Sequence, residues 1–198
     1  AVRARTATEL RSHFSDREYL LITATCAQVN YWARFMQGLG VPPAGCAVLA
    51  YNYLDIDMIE AQHGRGPAMA TGIKRVLPDR VVFSYQGDGD LAAIGTAETF
   101  HAANRGENIT IVFINNACYG MTGGQVSGTT PGGSFTSTTA WGNPERDFDI
   151  CALAEVAGAN YVARETPLHG WELKERIKEA LEKKGFSLVE VFSPCPTH

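Results

Sequence analysis

The short polar segment Gly87-Asp88-Gly89-Asp90 contains the residue types that most directly suggest chemistry. Its glycines expose backbone N–H groups that suit phosphate oxygens, but Asp88 would repel a phosphate unless a divalent cation lay between them. Mg²⁺ prefers hard oxygens, usually one or two carboxylates together with phosphate and water. Asn116, after the next apolar segment, could supply an amide oxygen. These residues favour a magnesium–diphosphate site; capping of a following helix by Asp88 and Asp90 is the alternative.

The elements around this segment predict where its side chains lie. Residues 81–86 and 109–114 are short apolar runs typical of buried strands. Between them, residues 91–104 have helical spacing of small and apolar side chains, at Leu91, Ile94, Ala97 and Ala102. Strand, turn, helix and strand form a βαβ unit, so the carboxyl ends of both strands share one sheet edge, where ligands bind.

The rest of the chain continues this α/β pattern. After the βαβ unit we expect a helix after Asp149, a strand at 160–163, an amphipathic helix at 170–184 and a strand at 186–192. Before it we expect a helix at 67–77, and further towards the amino end helices at 6–14 and 31–39 and a strand at 19–24. The sequence therefore predicts a single domain over 1–198 with a three-layer α/β/α fold and a mainly parallel sheet.

A long uncharged segment follows the second strand. Residues 109–144 contain no charged side chain, and Gly, Thr and Ser dominate from residue 120. Disordered segments favour charge and lack aromatic residues, whereas Phe135 and Trp141 lie in this one. We interpret it as a lid and partner surface that folds over a bound diphosphate. A merely flexible connection is the alternative.

Composition restricts the classes of partner and compartment. The net charge is −4 without a basic stripe, which argues against nucleic acid, and no apolar run reaches membrane-spanning length. The amino end lacks the features of a signal peptide, so we expect a cytoplasmic protein. Five dispersed cysteines without a CxxC pair do not indicate a disulfide framework, and we interpret Cys26 and Cys151 as buried thiols.

Several segments together identify a resemblance to a known family. One such segment begins with GDG at 87–89, continues for 25 residues (90–114) and ends with NN at 115–116, and it resembles the thiamine-diphosphate motif. NYLDIDMIEAQHGRGPAMATGIKRVLPDR, GDGDLAAIGTAE, INNACYGMTGGQ and SPCPT extend the match across residues 41–197. The chain resembles the thiamine-diphosphate-binding β subunit of 2-oxoacid:ferredoxin oxidoreductases, of the 2-oxoglutarate or branched-chain type. Residues 1–40 do not match, which suggests a truncated or replaced amino end.

The resemblance implies roles for individual residues. The Mg²⁺ ligands it implies are the side chains of Asp88 and Asn116 and the backbone carbonyl of Cys118. The residues it implies for the thiamine diphosphate are Gly87, Gly89 and Asp90 through backbone N–H groups, then Tyr119, Met121, Thr122, His63 and Arg65. Among these, His63 is the candidate catalytic residue, although a lone histidine is more often structural or solvated. A [4Fe–4S] cluster in such proteins uses Cys46 and Cys195 with a CxGC pair, which this sequence lacks.

The activity implied is oxidative decarboxylation of a 2-oxoacid to acyl-CoA and CO₂, with electrons passed to ferredoxin. The partners implied are an α subunit that supplies a catalytic glutamate, ferredoxin, a 2-oxoacid and coenzyme A. Two alternatives stay open: a subunit of a non-oxidative thiamine-diphosphate decarboxylase, and a non-catalytic nucleotide-binding or scaffold subunit.

Overall fold

A computed structural model describes Ala50 and residues 54–195 of the chain. The elements predicted at 6–14, 19–24 and 31–39 lie outside these residues, as do Cys26 and Cys46. Within the described residues, no helix is both long and apolar enough to cross a membrane.

Four strands form one sheet in which every neighbouring pair is parallel. The strand order is β1-β2-β4-β3. The strands are β1 Phe83–Gly87, β2 Thr110–Asn115, β3 Tyr161–Glu165 and β4 Ser187–Phe192. Both ends of each strand lie within two residues of the predicted ends. The prediction of a mainly parallel sheet is confirmed. All four carboxyl ends therefore lie at one edge.

Helices cover both faces of the sheet. The α-helices are α1 Gly66–Val76, α2 Thr96–Asn104, α3 Ile150–Val156 and α4 Gly170–Glu182, with a short 3₁₀ helix at Pro167–His169. Helices α1, α2 and α3 pack on the face that carries Ile111, Phe113 and Leu188. Helix α4 packs on the opposite face against Val189 and its neighbours. Because β2 alternates side chains between these two clusters, the sheet is the middle of three layers, as predicted.

The helix predicted at 91–104 is two segments, and this part of the prediction is wrong. A π-helix spans Gly89–Ile94, and α2 begins at Thr96 after a break at Gly95. A Cβ on Gly95 would lie 2.7 Å from the Gly64 carbonyl oxygen, so the glycine lets the chain around Gly64 approach this break. The single-helix pattern grouped Ile94 with the apolar residues at helical spacing, yet its side chain is 44% exposed. The change from π-helix to α-helix therefore alters which residues face the core.

Candidate functional site

The predicted site residues meet at the carboxyl edge of β1 and β2. Gly87, the last residue of β1, is paired in register with Ile114 of β2. Asp88 therefore follows one strand where Asn116 follows its neighbour. Ala117 turns the chain with a positive φ of 60°, a backbone conformation uncommon for a residue with a side chain.

Three oxygen-bearing groups converge at this edge. One terminal atom of the Asn116 amide lies 2.9 Å from the Cys118 carbonyl oxygen and 3.0 Å from Asp88 Oδ1. If this atom is the nitrogen, it donates hydrogen bonds to both oxygens. If it is the oxygen, three oxygens meet at one point, where a cation would stabilise them. The structure thus brings together the three groups predicted to bind Mg²⁺.

The second oxygen of Asp88 is bound by hydroxyl groups of the uncharged segment. Ser127 Oγ and Thr129 Oγ1 donate to Asp88 Oδ2 at 2.6 Å and 3.0 Å. The sequence interpretation did not assign these two residues; the only available signal was the hydroxyl-rich composition around them. Asp88 makes no side-chain cap to the π-helix that it precedes, so the capping alternative does not describe its carboxylate.

Asp88 is a buried charge without a cationic partner. The residue is 3% exposed. Among the ion pairs of the described residues, none involves Asp88. Burial raises the pKa of Asp88, and hydrogen bonds from Ser127, the Gly89 N–H and Thr129 oppose part of that rise. Because an uncompensated buried carboxylate is costly, this position favours a bound cation.

Asp90 has a different environment, although it lies only two residues away. Its Oδ1 accepts a hydrogen bond from the Gly64 N–H and lies 2.9 Å from His63 Nδ1, a contact without hydrogen-bond geometry. Its Oδ2 accepts from Gln86 Nε2 at 2.9 Å. The Asp90 side chain therefore holds the turn that carries His63. Its predicted backbone contact with a diphosphate stays a prediction.

His63 has two edges in different surroundings. Its Nδ1 is buried beside Asp90, yet the side chain as a whole is 30% exposed, so the exposure belongs to the rest of the ring. Its ring centre lies 6.4 Å from that of Tyr119. The imidazole can therefore present its exposed side to a ligand while its Nδ1 side is buried.

Tyr119 covers Gly89 at this edge. A Cβ on Gly89 would lie 2.1 Å from the Tyr119 ring, whereas a Cβ on Gly87 would meet nothing within 4 Å. The Tyr119 hydroxyl donates to the Gly89 carbonyl oxygen at 3.2 Å. Burial, followed by the charges of Asp88 and Asp90, raises the pKa of Tyr119.

Other predicted site residues are engaged elsewhere or are exposed. The Arg65 guanidinium pairs with Glu98 of α2. The Thr122 hydroxyl donates to Gln125 Oε1 at 2.6 Å, and Met121 is 39% exposed. Cys195 follows β4, whereas Cys46 lies outside the described residues.

A buried polar network lies behind Asp88 and Asn116. Asn115, the last residue of β2, donates from Nδ2 to Glu190 Oε1 at 2.8 Å, and Arg164 Nε donates to Glu190 Oε2 at 2.6 Å. Asn115 Oδ1 lies 2.9 Å from Thr129 Oγ1, so it competes with Asp88 Oδ2 for the single proton of that hydroxyl. Glu190 is 1% exposed in the middle of β4, and its role was not anticipated. Burial, followed by the Glu190 charge, raises the pKa of the neighbouring Cys151 thiol to about 12, which makes this thiol unreactive.

The site suits a cation that is shared with a ligand. Within the part of the chain that the structure describes, no group of three or more His, Cys, Asp or Glu side chains could hold a metal alone. One carboxylate, one amide and one carbonyl are weak ligands for Mg²⁺ unless phosphate oxygens complete the coordination. The arrangement therefore fits a metal–diphosphate complex better than a free ion.

Comparisons with known proteins agree with this chemistry. Residues 44–191 match the family model of the thiamine pyrophosphate enzyme C-terminal TPP-binding domain. The chain is 46% identical over 160 residues to the 2-oxoglutarate synthase subunit KorB of Methanocaldococcus jannaschii, covering 81% of this chain and 59% of that protein. It is 45% identical to the ketoisovalerate oxidoreductase subunit VorA of Methanothermobacter thermautotrophicus, covering 80% of this chain and 36% of that protein. The chain thus spans about three fifths of the 2-oxoglutarate synthase subunit.

A solved structure shares the fold. It is a 2-oxoglutarate:ferredoxin oxidoreductase from Magnetococcus marinus with 2-oxoglutarate, coenzyme A and succinyl-CoA bound. The TM-score is 0.73 at 33% identity, with 85% of this chain and 61% of that chain covered. The resemblance to thiamine-diphosphate-binding subunits of 2-oxoacid:ferredoxin oxidoreductases is confirmed, and the chain belongs to the family of thiamine pyrophosphate enzymes that share this C-terminal TPP-binding domain.

Proposed function

We propose that this chain binds thiamine diphosphate and Mg²⁺ as the β subunit of a 2-oxoacid:ferredoxin oxidoreductase. The observation that carries the proposal is the convergence of Asp88 Oδ1, the Asn116 amide and the Cys118 carbonyl oxygen. These three groups lie 2.9 Å and 3.0 Å apart at Asn116, and their oxygens are the hard ligands that Mg²⁺ prefers, so they would hold the cation together with diphosphate oxygens.

Different residues of the chain would bind the cation, the diphosphate and the rest of the cofactor. Asp88, Asn116 and Cys118 would hold the cation, and the backbone of Gly87, Gly89 and Asp90 would approach the diphosphate. When bound, thiamine diphosphate supplies the nucleophilic carbon and the electron sink for decarboxylation of a 2-oxoacid. His63, whose Nδ1 lies beside Asp90, would hold or move a proton from its exposed side. Tyr119, Met121, Thr122 and Arg65 would line the surroundings of the cofactor.

We further propose that the chain works with a partner subunit that supplies the catalytic glutamate, and that ferredoxin and coenzyme A serve the complete enzyme. The relatives are named as subunits, and the related solved enzyme contains 2-oxoglutarate and coenzyme A. On this chain, Phe135 and Trp141 of the uncharged segment are 78% and 98% exposed. Interface cores are enriched in aromatic side chains and poor in charged ones.

An iron–sulfur cluster belongs to the same proposal. A [4Fe–4S] cluster needs four thiolates, so Cys46 and Cys195 would bind it together with ligands from elsewhere. We expect iron and acid-labile sulfide in anaerobically purified protein, and Cys195→Ser should lower both. Iron content that is unchanged by this substitution would rule out Cys195 as a ligand.

The proposed function is tested in two steps. Thiamine diphosphate binding to the chain is measured by calorimetry with Mg²⁺ and with EDTA, and we expect binding only with Mg²⁺. The chain is then combined with its partner subunit, 2-oxoglutarate or 3-methyl-2-oxobutanoate, coenzyme A and oxidised ferredoxin. Reduction of ferredoxin that depends on the oxoacid and coenzyme A would support the proposal. Release of CO₂ without reduction would instead indicate a non-oxidative decarboxylase, and absence of cofactor binding would refute the proposal altogether.

A further inference from the structure

The Asp88 carboxylate uses its two oxygens in different ways. Oδ2 accepts hydrogen bonds from Ser127 and Thr129, whereas Oδ1 faces the Asn116 amide at 3.0 Å. A carboxylate whose Oδ2 is occupied can offer a cation only Oδ1. We propose that Ser127 and Thr129 are positioning residues that fix Asp88 for binding Mg²⁺ through this single oxygen. The inference rests on the proposed function and concerns the same site.

The chemistry of the two donors supports this role. A lysine or arginine at the same place would neutralise Asp88 and compete with the cation. A hydroxyl group donates one hydrogen bond and carries no charge, so it orients the carboxylate and leaves its charge for the metal. Ser127 and Thr129 are 7% and 5% exposed, so water does not replace them easily.

A buried network fixes the position of the Thr129 hydroxyl. Thr129 Oγ1 lies 2.9 Å from Asn115 Oδ1 and 3.0 Å from Asp88 Oδ2, and its single proton can serve one of them at a time. Asn115 is held in turn by Glu190, which is paired with Arg164. The contacts run from the Glu190–Arg164 pair to the metal carboxylate. Asn115 also directly precedes the ligand Asn116, so the network supports two ligands at once.

The hydroxyls are not the only anchors of their segment. Thr130 Oγ1 donates to the Ala117 carbonyl oxygen at 2.6 Å, and Asn143 Nδ2 donates to the Thr130 carbonyl oxygen at 2.8 Å. The Phe148 N–H donates to the Gly128 carbonyl oxygen at 2.9 Å. Removal of one hydroxyl from Ser127 or Thr129 should therefore leave the segment folded while it weakens metal binding.

The test measures Mn²⁺ binding to the full chain in the presence of thiamine diphosphate, from the electron paramagnetic resonance signal of free Mn²⁺. Thr129→Val and Ser127→Ala remove one hydroxyl each, and Thr129→Ser restores one. Thr138→Val is the matched control, because it removes a hydroxyl of the same segment that accepts from the Val126 N–H and does not contact Asp88. Thermal unfolding in EDTA reports whether each variant is folded.

We expect the Kd for Mn²⁺ to rise about tenfold in Thr129→Val and in Ser127→Ala, and to stay near the wild-type value in Thr129→Ser and Thr138→Val. Wild-type Mn²⁺ affinity in both Thr129→Val and Ser127→Ala overturns the inference but leaves the proposed function intact. Equal losses in Thr129→Ser and Thr129→Val also overturn it, because the hydroxyl would then be irrelevant. If Thr129→Val does not fold, Ser127→Ala decides alone. Failure of the wild-type chain to bind Mn²⁺ with thiamine diphosphate refutes the proposed function itself.

Discussion

Asp88→Asn should make the cation-free chain more stable and abolish its response to the metal and cofactor. In the cation-free chain, Asp88 is a buried charge without an ion pair, and burial raises its pKa. The introduced amide would remove that charge and keep its contacts. Its oxygen could accept from Ser127 and Thr129, and its nitrogen could donate to the Asn116 amide oxygen.

The size of the gain follows from opposing contributions. Burying an ionised carboxylate costs several kcal/mol, and a hydroxyl hydrogen bond to it offsets about 1.5–3 kcal/mol. Because the pKa of Asp88 is raised on balance, the hydrogen bonds offset only part of the burial cost, and we expect Asp88→Asn to gain on the order of 1 kcal/mol. For a chain of this size, that gain corresponds to a rise in Tm of about 2–4 °C. Ligand at a hundredfold excess over its Kd should stabilise the wild type alone, by about 2.7 kcal/mol.

The assay is thermal unfolding of both proteins in EDTA and with Mg²⁺ plus thiamine diphosphate. The order of stability should reverse between the two conditions. Because the folded-state pKa of Asp88 is raised, its cost is full at pH values above that pKa and disappears as the pH falls below the unfolded value of about 3.9. The advantage of Asp88→Asn should therefore shrink in acid. An Asp88→Asn chain that is less stable in EDTA, or still stabilised by Mg²⁺ and cofactor, would refute this reasoning.

Two further substitutions test contacts around the site and in the fold. Gly89→Ala places a Cβ 2.1 Å from the Tyr119 ring and should lower the free energy of unfolding by about 1–3 kcal/mol, measured with denaturant. Gly87→Ala is the control, because its Cβ meets no atom within 4 Å and should change that free energy little. Equal losses in the two variants would contradict the predicted clash with Tyr119. Burial raises the pKa of Glu107, but hydrogen bonds and charge from Arg105 and Arg75 outweigh it and lower the net pKa. Glu107→Gln should therefore cost about 1–2 kcal/mol at neutral pH, and the loss should vanish as the pH falls through the Glu107 pKa and the wild-type carboxylate is protonated. A pH-independent loss would show that the charge is unimportant.

The sequence was sufficient to predict the sheet edge and that Asp88 and Asn116 meet there. Asp88 and Asn116 follow two apolar runs, and consecutive parallel strands place their carboxyl ends side by side. That local rule needs no knowledge of side-chain packing. The role of the Cys118 carbonyl came from resemblance to the family, and the structure brings it within 2.9 Å of the Asn116 amide.

The supporting contacts could not be predicted because they depend on tertiary packing. Ser127 reaches Asp88 across 39 residues of sequence, and nothing in its neighbourhood marks it apart from other hydroxyls of the segment. In the sequence, Glu190 is only a charged residue within an apolar strand. Its hydrogen-bond partners, Arg164 and Asn115, lie on other strands and are close to it only in the folded chain. The break at Gly95 follows from the close approach of Gly64, which helical periodicity does not reveal.

The absence of charge across residues 109–144 has a consequence for how the site responds to ionic strength. Salt screens exposed ion pairs, such as Arg176 with Glu179, over a Debye length of about 10 Å at 0.1 M. The contacts of Ser127 and Thr129 with Asp88 join neutral hydroxyls to a buried carboxylate and offer little to screen. Concentrated salt should therefore weaken charged contacts on the surface while the hydroxyl contacts of the segment with Asp88 persist. A single salt titration would then distinguish the two kinds of contact.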